Sequence, residues 1–442
     1  MLSPWTLIAI IVSLYYLKTY QEIVFPVVNA YAGDIFRRKA YREYKTNAKR
    51  LIAKGLAKYN GPISLLVPPW VVAALQHHWG DSDSWHQISW ERDTTGIISW
   101  AAASVFVGPG KASDPEWQML SQAYVRELFS AVSELHTWRP SLRSVVQWFL
   151  PHTSACQALA RKARVMIDEV VERRAEESHL AQRQGRKARR YNDVLSWTSH
   201  MPSNKLHLGD IQLALAVAAL FTTSEALRQT LTDLAEHPEL VAPLRREIEE
   251  LISRHGLCQA ALQKMDMLDS LMKESQRQTP GLAIRDTTLP DETLIPRGSH
   301  IMVDSSDMWN PEVHDYPDVY DGYRFVKQRH AGDKASQFVQ ASREHNTFGG
   351  GRHICRGRFF ANAELKICLA HILLDYVVRL KEGYCSKPMS SGVYDGVDSA
   401  AELEVRRRSG SECCPFYAFL HCSPTETPFG TFRSIEIEMV FS

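Results

Sequence analysis

Paired cysteines of the kind that bind zinc or cycle between thiol and disulfide are missing from this sequence. Its 8 cysteines are scattered over 442 residues, and none belongs to a CxxC pair. Zinc ribbons and thioredoxin-like redox sites are therefore excluded by spacing. A disulfide-stapled scaffold needs a higher cysteine density, so most of these thiols are expected to be reduced. The cysteines are Cys156, Cys258, Cys355, Cys368, Cys385, Cys413, Cys414 and Cys422.

The sequence also lacks an excess of charge of either sign. Its 51 lysines and arginines nearly balance its 50 acidic residues, which gives a formal net charge of +1. Nucleic-acid binding needs a concentrated basic surface, so no nucleic-acid partner is expected. Neither a GxGxxG segment nor a Walker loop occurs, and no strand–helix alternation or internal repeat is visible. These absences argue against a doubly wound nucleotide-binding fold.

An uncharged N-terminal run is present from Leu2 to Leu17, and Lys18 follows it. As a helix this run would be about 24 Å long, against a bilayer core of roughly 30 Å. Aromatic side chains at its edges and the snorkelling lysine compensate for the short length. A cleaved signal peptide is disfavoured because no basic segment precedes the run and no small-residue cleavage site closes it. We therefore expect residues 1–20 to form a single-pass membrane anchor, with a buried helix as the alternative.

Helical patterns fill most of the remaining chain. The range Asp114 to Ser199 reads as helical, with a polar, basic break near Gln182 to Arg190. The clearest helix runs from Asp210 to Glu236, where Asp210 can cap the start and Pro238 follows the end. Its stretch LALAVAALF is apolar on every face but too short to cross a bilayer, so it is expected to lie in the core. Further expected elements are helices at Glu239 to Ser253, Gln263 to Gln278 and Gly357 to Leu380, and strands between Gly281 and Val303.

The most informative stretch is Phe348-Gly-Gly-Gly-Arg-His-Ile-Cys355-Arg-Gly357-Arg-Phe-Phe-Ala361. It resembles the heme-binding signature of the cytochrome P450 family, and its fixed positions would match by chance in about one of several thousand chains. The resemblance implies a mainly α fold with a minor β component, a triangular, helix-rich single domain. It also implies heme b (iron protoporphyrin IX), with Cys355 as the axial ligand of the heme iron. A buried structural cysteine in a glycine-rich turn is the alternative.

The same resemblance gives roles to the residues around the cysteine. A thiolate ligand donates electron density to iron and needs a loop with backbone N–H groups near it. Phe348 would shield the sulfur from water, and Gly357 would open the last helix without a side chain near the porphyrin. His353 would bind a heme propionate with help from Arg352. Arg285 lies where the family often supplies a second propionate contact, although a surface arginine is an equal alternative.

A structural ion-pair cluster is expected behind this loop. Glu274 and Arg277 have the i, i+3 spacing that places both side chains on one helix face. Such a pair alone is weak evidence, because most are solvated surface pairs. Here the pair resembles the family's ExxR motif, and the segment Asp321-Gly-Tyr-Arg324-Phe325 resembles its usual partner. By resemblance, Glu274, Arg277 and Arg324 support heme incorporation and take no part in the chemistry.

The segment Ala218 to Thr223 resembles the family's oxygen-binding segment. Small residues there leave room for dioxygen, and the Thr222 hydroxyl can bond to it instead of to the i−4 carbonyl, helping to deliver protons. Phe221 stands where the family normally has an acid of the proton relay, so water or Thr223 is expected to substitute. Two ordinary helix threonines are the alternative.

Two departures from the family pattern concern the ends of the chain. The N-terminal third is several tens of residues shorter than usual, and no Trp-x-x-x-Arg sequence, normally a propionate contact, occurs anywhere. The tail beyond residue 408 is atypical. We therefore expect an anchor at 1–20, a catalytic domain at 21–408 and an atypical tail at 409–442.

The residues of these motifs most resemble those of filamentous-fungal members that act in secondary metabolism. The resemblance implies a monooxygenase that inserts one oxygen atom from O2 into a small apolar polycyclic substrate, a terpenoid or meroterpenoid. Electrons would come from NADPH through a flavoprotein reductase docked near Arg352, Arg356 and Arg358. The protein would be anchored in the endoplasmic reticulum membrane, with its catalytic domain on the cytoplasmic side. A heme-thiolate isomerase that needs no reductase, or an inactive heme-binding relic, are the alternatives.

Overall fold

The structure of the protein is a computed structural model, and it describes most of the chain after residue 66. The described residues are 67–139, 142–199, 207–277, 306–342, 344–351, 354–385, 387, 389–391, 394–398 and 400–409. The expected anchor at 1–20, the strands expected within 281–303 and all but the first residue of the tail at 409–442 lie outside them.

Helices dominate the described part of the chain, as the expected fold class requires. The helices are α1 (Pro68–Trp79), α2 (Trp90–Phe106), α3 (Pro109–Ala112), α4 (Pro115–His136), α5 (Arg143–Val146), α6 (Pro151–Arg183), α7 (Val194–Ser199), α8 (Leu208–Glu236), α9 (Val241–His255), α10 (Gln259–Lys264), α11 (Asp266–Arg277), α12 (Arg324–His330) and α13 (Arg358–Asp375). Short 3-10 turns lie at Pro238–Leu240, Ser306–Trp309 and Lys334–Ser336. The strands are β1 (His86–Gln87), β2 (Tyr376–Leu380), β3 (Met389–Ser391), β4 (Tyr394–Gly396) and β5 (Leu403–Arg407).

Local sequence explains where several helices begin. Proline occupies the first turn of α1, α4 and α6, where its missing N–H and fixed φ are tolerated. The Asp114 side chain caps α4 by accepting the backbone N–H groups of Glu116 and Trp117, at 2.9 and 3.2 Å. The single helix expected at 263–278 is divided into α10 and α11, which are separated by Met265.

Helix α8 is the central element of the described structure. It packs against α2, α4, α6, α11 and α13. It is long and apolar enough to cross a membrane, but 61% of its most hydrophobic window is buried inside the protein. The prediction of a core helix is therefore confirmed.

The start of α8 differs from the expectation in one detail. His207 caps the helix, because its Nδ1 accepts the backbone N–H of Gly209 at 3.1 Å. Asp210 lies inside the first turn and pairs with Arg164 of α6, with 2.8 Å between Nε and Oδ1. A Cβ on Gly209 would lie 2.8 Å from the Arg164 backbone, so this glycine allows α6 and α8 to approach closely.

Helix α13 ends earlier than expected. It stops at Asp375, and residues 376–380, which were expected to continue it, form strand β2 instead. Tyr376, Val377 and Val378 favour a strand, and β2 pairs antiparallel with β5 from Tyr376–Arg407 to Leu380–Leu403. Strand β1 pairs with the other edge of β5, which gives the order β1-β5-β2, and β3 pairs with β4 in a separate hairpin.

Candidate functional site

The loop before α13 presents Cys355 with an exposed side chain. Cys156 and Cys368, by contrast, are buried. The Cys355 N–H donates to the carbonyl of Phe348 at 2.8 Å and closes the loop. Gly349 and Gly351 have φ of 70° and 54°, the left-handed region that favours glycine. A Cβ on Gly351 would contact nothing within 4 Å, so one side of the loop is open.

Two side chains fix this loop to the protein. Arg358 donates from Nη1 to the Cys355 carbonyl at 2.8 Å and from Nε to the Val339 carbonyl at 3.0 Å. The Phe348 ring packs edge-on against the buried Phe338, with 5.3 Å between centroids. The position of Phe348 therefore anchors the loop, and its expected shielding of the sulfur stays a prediction.

One face in the middle of helix α8 is exposed, although most of the helix is buried. Ala218, Phe221 and Thr222 are exposed, and Glu225 is half-buried. These positions are three or four residues apart and therefore share one helix face. Thr223 points away from this face and is only 3% exposed. We call the face formed by Ala218, Phe221, Thr222 and Glu225 the open stripe.

The contacts of the open stripe differ from the expectation. The Thr222 hydroxyl donates to the Ala218 carbonyl at 2.9 Å, which is the i−4 bond that it was expected to avoid. The Phe221 ring contacts Phe129 of α4, with 5.1 Å between centroids. Both rings are more than a third exposed, so the pair forms an apolar wall beside the Thr222 hydroxyl.

The three charged residues expected behind the cysteine loop lie together. Glu274 accepts from Arg277 Nε and Arg324 Nε at 2.9 and 3.0 Å. All three are buried, with Glu274 and Arg277 at 0% exposure. The other guanidinium N–H groups donate to backbone carbonyls of the segment 308–319. Those carbonyls belong to Met308, Asp315, Tyr316, Pro317 and Val319.

Sequence reasoning missed a buried lysine on the same helix. Lys273 Nζ donates to the carbonyls of Ala335, Gln337 and Gln340 at 2.8, 2.9 and 3.0 Å. Burial lowers the pKa of Lys273 to about 8. The lysine therefore holds the segment 335–340, which leads to the cysteine loop.

A buried histidine was missed as well. His345 Nε2 bonds to the Lys273 carbonyl at 3.2 Å, and its ring lies edge-on to Phe325, with 5.7 Å between centroids. Burial, aided by the charge of Lys273, lowers the pKa of His345 to about 3. This histidine therefore links the cysteine loop to α11 as a neutral ring.

Asp269 was a third omission. It accepts from Lys366 of α13, Arg329 of α12 and the Phe338 N–H, at 2.7, 2.7 and 2.8 Å. A signal was available in the sequence: Asp269, Lys273 and Arg277 recur every four residues, so they form a charged row on a face that proves to be buried.

Several expected site residues cannot be placed. Arg285, Arg352 and His353 lie outside the described residues. Of the expected reductase patch, Arg356 is exposed, whereas Arg358 uses its guanidinium within the cysteine loop. Gly357 is the residue before α13, with φ of −86°.

The described residues fit a heme group. A thiol that the protein does not cover, on a loop fixed by backbone bonds, matches the donor that a heme-thiolate site requires. The glycines beside it leave room for a planar ring. The open stripe offers small, apolar and hydroxyl side chains where the rest of α8 is packed.

Comparison with known proteins identifies the family. A sequence profile described as cytochrome P450 matches residues 110–396. The chain is 38% identical over 347 residues to cytochrome P450 monooxygenase 1 of Gibberella fujikuroi, covering 76% of this chain and 78% of that protein. The chain belongs to the cytochrome P450 family. Family members bind heme iron and receive electrons from a redox partner.

Further relatives agree with this assignment. This P450 is 36% identical over 348 residues to a cytochrome P450 monooxygenase of Penicillium shearii, covering 76% of this chain and 69% of that protein. It is 32% identical over 376 residues to one of Aspergillus oryzae, covering 82% and 68%. The fold resembles a retinoic acid-bound cyanobacterial P450, with a TM-score of 0.60 and 18% identity, covering 83% of this chain and 79% of the other. The resemblance to fungal members and the expected fold are confirmed, and the protein is an oxidoreductase that incorporates molecular oxygen.

Proposed function

We propose that this P450 inserts one oxygen atom from O2 into a C–H bond of an apolar polycyclic metabolite, a terpenoid or meroterpenoid, in a fungal secondary-metabolite pathway. The observation that carries the proposal is the exposed Cys355 thiol on a loop fixed at both ends. The fungal relatives support the reaction class. The aromatic wall of Phe129 and Phe221 supports an apolar substrate.

The residues that would hold heme follow from the loop. Cys355 would supply the thiolate that binds the iron, and Gly357 would keep the start of α13 free of a side chain. Arg352, His353 and Arg285 are proposed to bind the propionates. When bound, heme would supply the activation of dioxygen and the oxidising power for C–H cleavage.

The protein's own groups would bind and orient the substrate. Phe129 and Phe221 would pack on an apolar ring system and exclude water from the open stripe. Ala218 would leave space beside them. Thr222 would hold a proton at Oγ1, for which its bond to the Ala218 carbonyl must open or be shared.

The partner and location are also proposals. Two electrons would come from NADPH through a flavoprotein reductase that meets exposed basic residues such as Arg356. Residues 1–20 would anchor residues 21–408, the catalytic domain, on the cytoplasmic side of the endoplasmic reticulum membrane.

A carbon monoxide difference spectrum of the purified full-length protein tests the heme site. The reduced protein should show the red-shifted Soret band of a thiolate ligand. Cys355→Ala should abolish this band. Cys385→Ala, which removes the other exposed cysteine of the described chain, should keep it. A band that survives Cys355→Ala would contradict the proposal.

Substrate binding tests the proposed substrate class. A polycyclic terpenoid should shift the heme absorbance at lower concentration than a linear fatty acid of equal carbon number, because rigid rings fill an aromatic-walled pocket with less loss of entropy. Product formation should require NADPH and the reductase. Tighter binding of the fatty acid, or product without NADPH, would count against this substrate or this reaction.

A further inference from the structure

We infer that Glu225 is the acid that relays protons from solvent to the Thr222 hydroxyl. It would take over this role from the acid that the family normally has where this chain has Phe221. The inference rests on the proposed monooxygenase function and adds a residue to it. It follows from which polar groups lie on the open stripe and from what Glu225 is bonded to.

Oxygen insertion creates the need for such a group. The overall reaction consumes the substrate, O2, two electrons and two protons, and yields the hydroxylated product and water. The electrons come from NADPH through the reductase, and the protons must come from solvent. A hydroxyl that gives up its proton must regain one from solvent, and an ionisable group behind Thr222 would speed that transfer.

Thr223, the side chain that was expected to substitute for the acid, does not meet this need, and neither do its neighbours on the helix. Phe221 carries no exchangeable proton and turns its ring to Phe129. Thr223 is 3% exposed and lies on another face of α8. Ser224 is 1% exposed and is likewise turned inward. From Val217 to Glu225, the polar side chains that are exposed or half-buried are Thr222 and Glu225.

The position of Glu225 suits a relay to Thr222. The two residues are one turn apart on the same helix face, a spacing of about 5–6 Å between Cβ atoms. One water molecule bridges such a gap. The Glu225 side chain is 24% exposed, so it is accessible to water but not fully solvated.

Polar groups of α2 hold Arg228 in place behind Glu225. Arg228 is 5% exposed and donates from Nη2 to Glu225 Oε1. Its Nη1 contacts Thr94 Oγ1 and Thr95 Oγ1 of α2, both at 3.3 Å, and the Glu91 carbonyl at 3.4 Å.

This arrangement gives each carboxylate oxygen a separate part. Arg228 fixes Oε1 and orients the side chain. Oε2 is outside that contact and can take a proton from water and pass it toward Thr222. Glu225 is thus the proton-relay residue, and Arg228 is a positioning residue that acts through it.

Comparing two oxidants in Glu225→Gln tests the inference. With O2, NADPH and reductase, product formed per NADPH should fall about 10-fold or more, and hydrogen peroxide should be released instead. With hydrogen peroxide as oxidant, product formation should stay near the wild-type value, because substrate and H2O2 give product and water with no proton from solvent. The carbon monoxide spectrum should be unchanged. The unfolding temperature should fall, because the buried Arg228 loses its anion, and it should fall equally whichever oxidant is used afterwards.

Two variants complete the test. Glu225→Asp keeps an acid with a shorter reach. Its coupling, meaning the product formed per NADPH, should lie between the values for wild type and Glu225→Gln. Glu236→Gln, an exposed residue at the end of the same helix, should behave as wild type. Wild-type coupling in Glu225→Gln, or an equal loss with both oxidants, would overturn the inference. A wild-type protein without the thiolate Soret band would instead refute the proposed function.

Discussion

The Glu274 carboxylate is fully buried and pairs with Arg277 and Arg324. Its Oε1 accepts from Arg277 Nη2 and the Asp321 N–H at 2.9 and 3.2 Å, and its Oε2 accepts from both arginine Nε atoms. A buried ion pair is not a strong source of stability, because desolvation offsets the attraction. Removing one partner, however, leaves uncompensated charge in the interior. Breaking the cluster therefore lowers the free energy of unfolding by more than the intact cluster contributes to it.

Replacing Glu274 by Gln should be strongly destabilising. Arg277 and Arg324 would remain buried without an anion, and such a loss costs about 3–5 kcal/mol in unfolding free energy. Because both arginines hold the segment 308–319 behind the cysteine loop, heme content should fall as well. Chemical denaturation and the heme-to-protein absorbance ratio measure the two effects.

Glu250→Gln is the matched control for this change. Glu250 forms an i, i+4 pair with Arg254 on α9, where both side chains are more than half exposed. Exposed pairs contribute little, so the free energy of unfolding should change by less than about 0.5 kcal/mol. Equal effects of the two substitutions would contradict the account of Glu274.

At the scale of elements, the cysteine loop is fixed by neighbours that precede and follow it. Lys273 holds the segment 335–340, His345 ties the loop to α11, and Arg358 closes it from α13. The resemblance to the family's ExxR motif predicted Glu274 and Arg277, because their i, i+3 spacing alone was weak evidence. Lys273 and His345 escaped prediction, because their partners are backbone carbonyls distant in sequence.

The His345 ring should make the protein sensitive to acid. Its pKa is about 3 in the folded chain against 6.5 for an unperturbed histidine, so the unfolded state binds more protons between these values. Stability is therefore lost as pH falls from about 6.5 toward 3, by about 1.4 kcal/mol per pH unit for this group. In His345→Gln, the unfolding free energy measured from pH 7 to 4.5 should decline less steeply than in wild type. The difference in slope should correspond to about one bound proton.

The control for this measurement is a histidine on the surface. His330 is exposed at the end of α12, and His330→Gln should leave the slope of unfolding free energy against pH nearly unchanged. A His345→Gln protein with the wild-type slope would mean that His345 gains a proton freely in the folded state.

The end of α13 shows why element boundaries were less predictable than element types. The apolar pattern from Gly357 to Leu380 fits one long helix, but Arg245 of α9 donates to the carbonyls of Leu373 and Tyr376 at 2.6 and 3.1 Å. That contact, together with pairing to β5, ends the helix at Asp375. Both depend on residues far along the chain, which a local pattern does not contain.

For the whole molecule, the mainly α fold and its central apolar helix could be predicted, because an apolar run too short for a bilayer must be buried. The open stripe was expected only from the resemblance of Ala218 to Thr223 to the family's oxygen-binding segment, and not from the periodicity of α8. The residues Ala218 and Phe221 read as core by composition, and only the arrangement of α4 and α8 leaves their face exposed. A binding pocket is a property of packing, so it is not encoded in the periodicity of one helix.

Heme should stabilise the whole fold. A ligand that binds only the folded state at 100 times its Kd adds about 2.7 kcal/mol to the unfolding free energy. Loading heme-depleted wild-type protein should therefore raise its unfolding temperature. Cys355→Ala should gain much less, since the protein would no longer supply a thiolate to the iron. Thermal unfolding with and without heme measures this, and an equal gain in both proteins would show that binding does not involve Cys355.

The three buried cations behind the cysteine loop donate hydrogen bonds to backbone carbonyls of neighbouring segments. Arg277, Arg324 and Lys273 bond to carbonyl oxygens of residues 308–319 and 335–340, and every amino acid supplies that atom. The side chains along these stretches, such as the 81% exposed Tyr316, are not used in those bonds. Related genes can therefore diverge widely here while the polypeptide keeps the same path, and identity in this region is a poor guide to whether two such enzymes share an architecture.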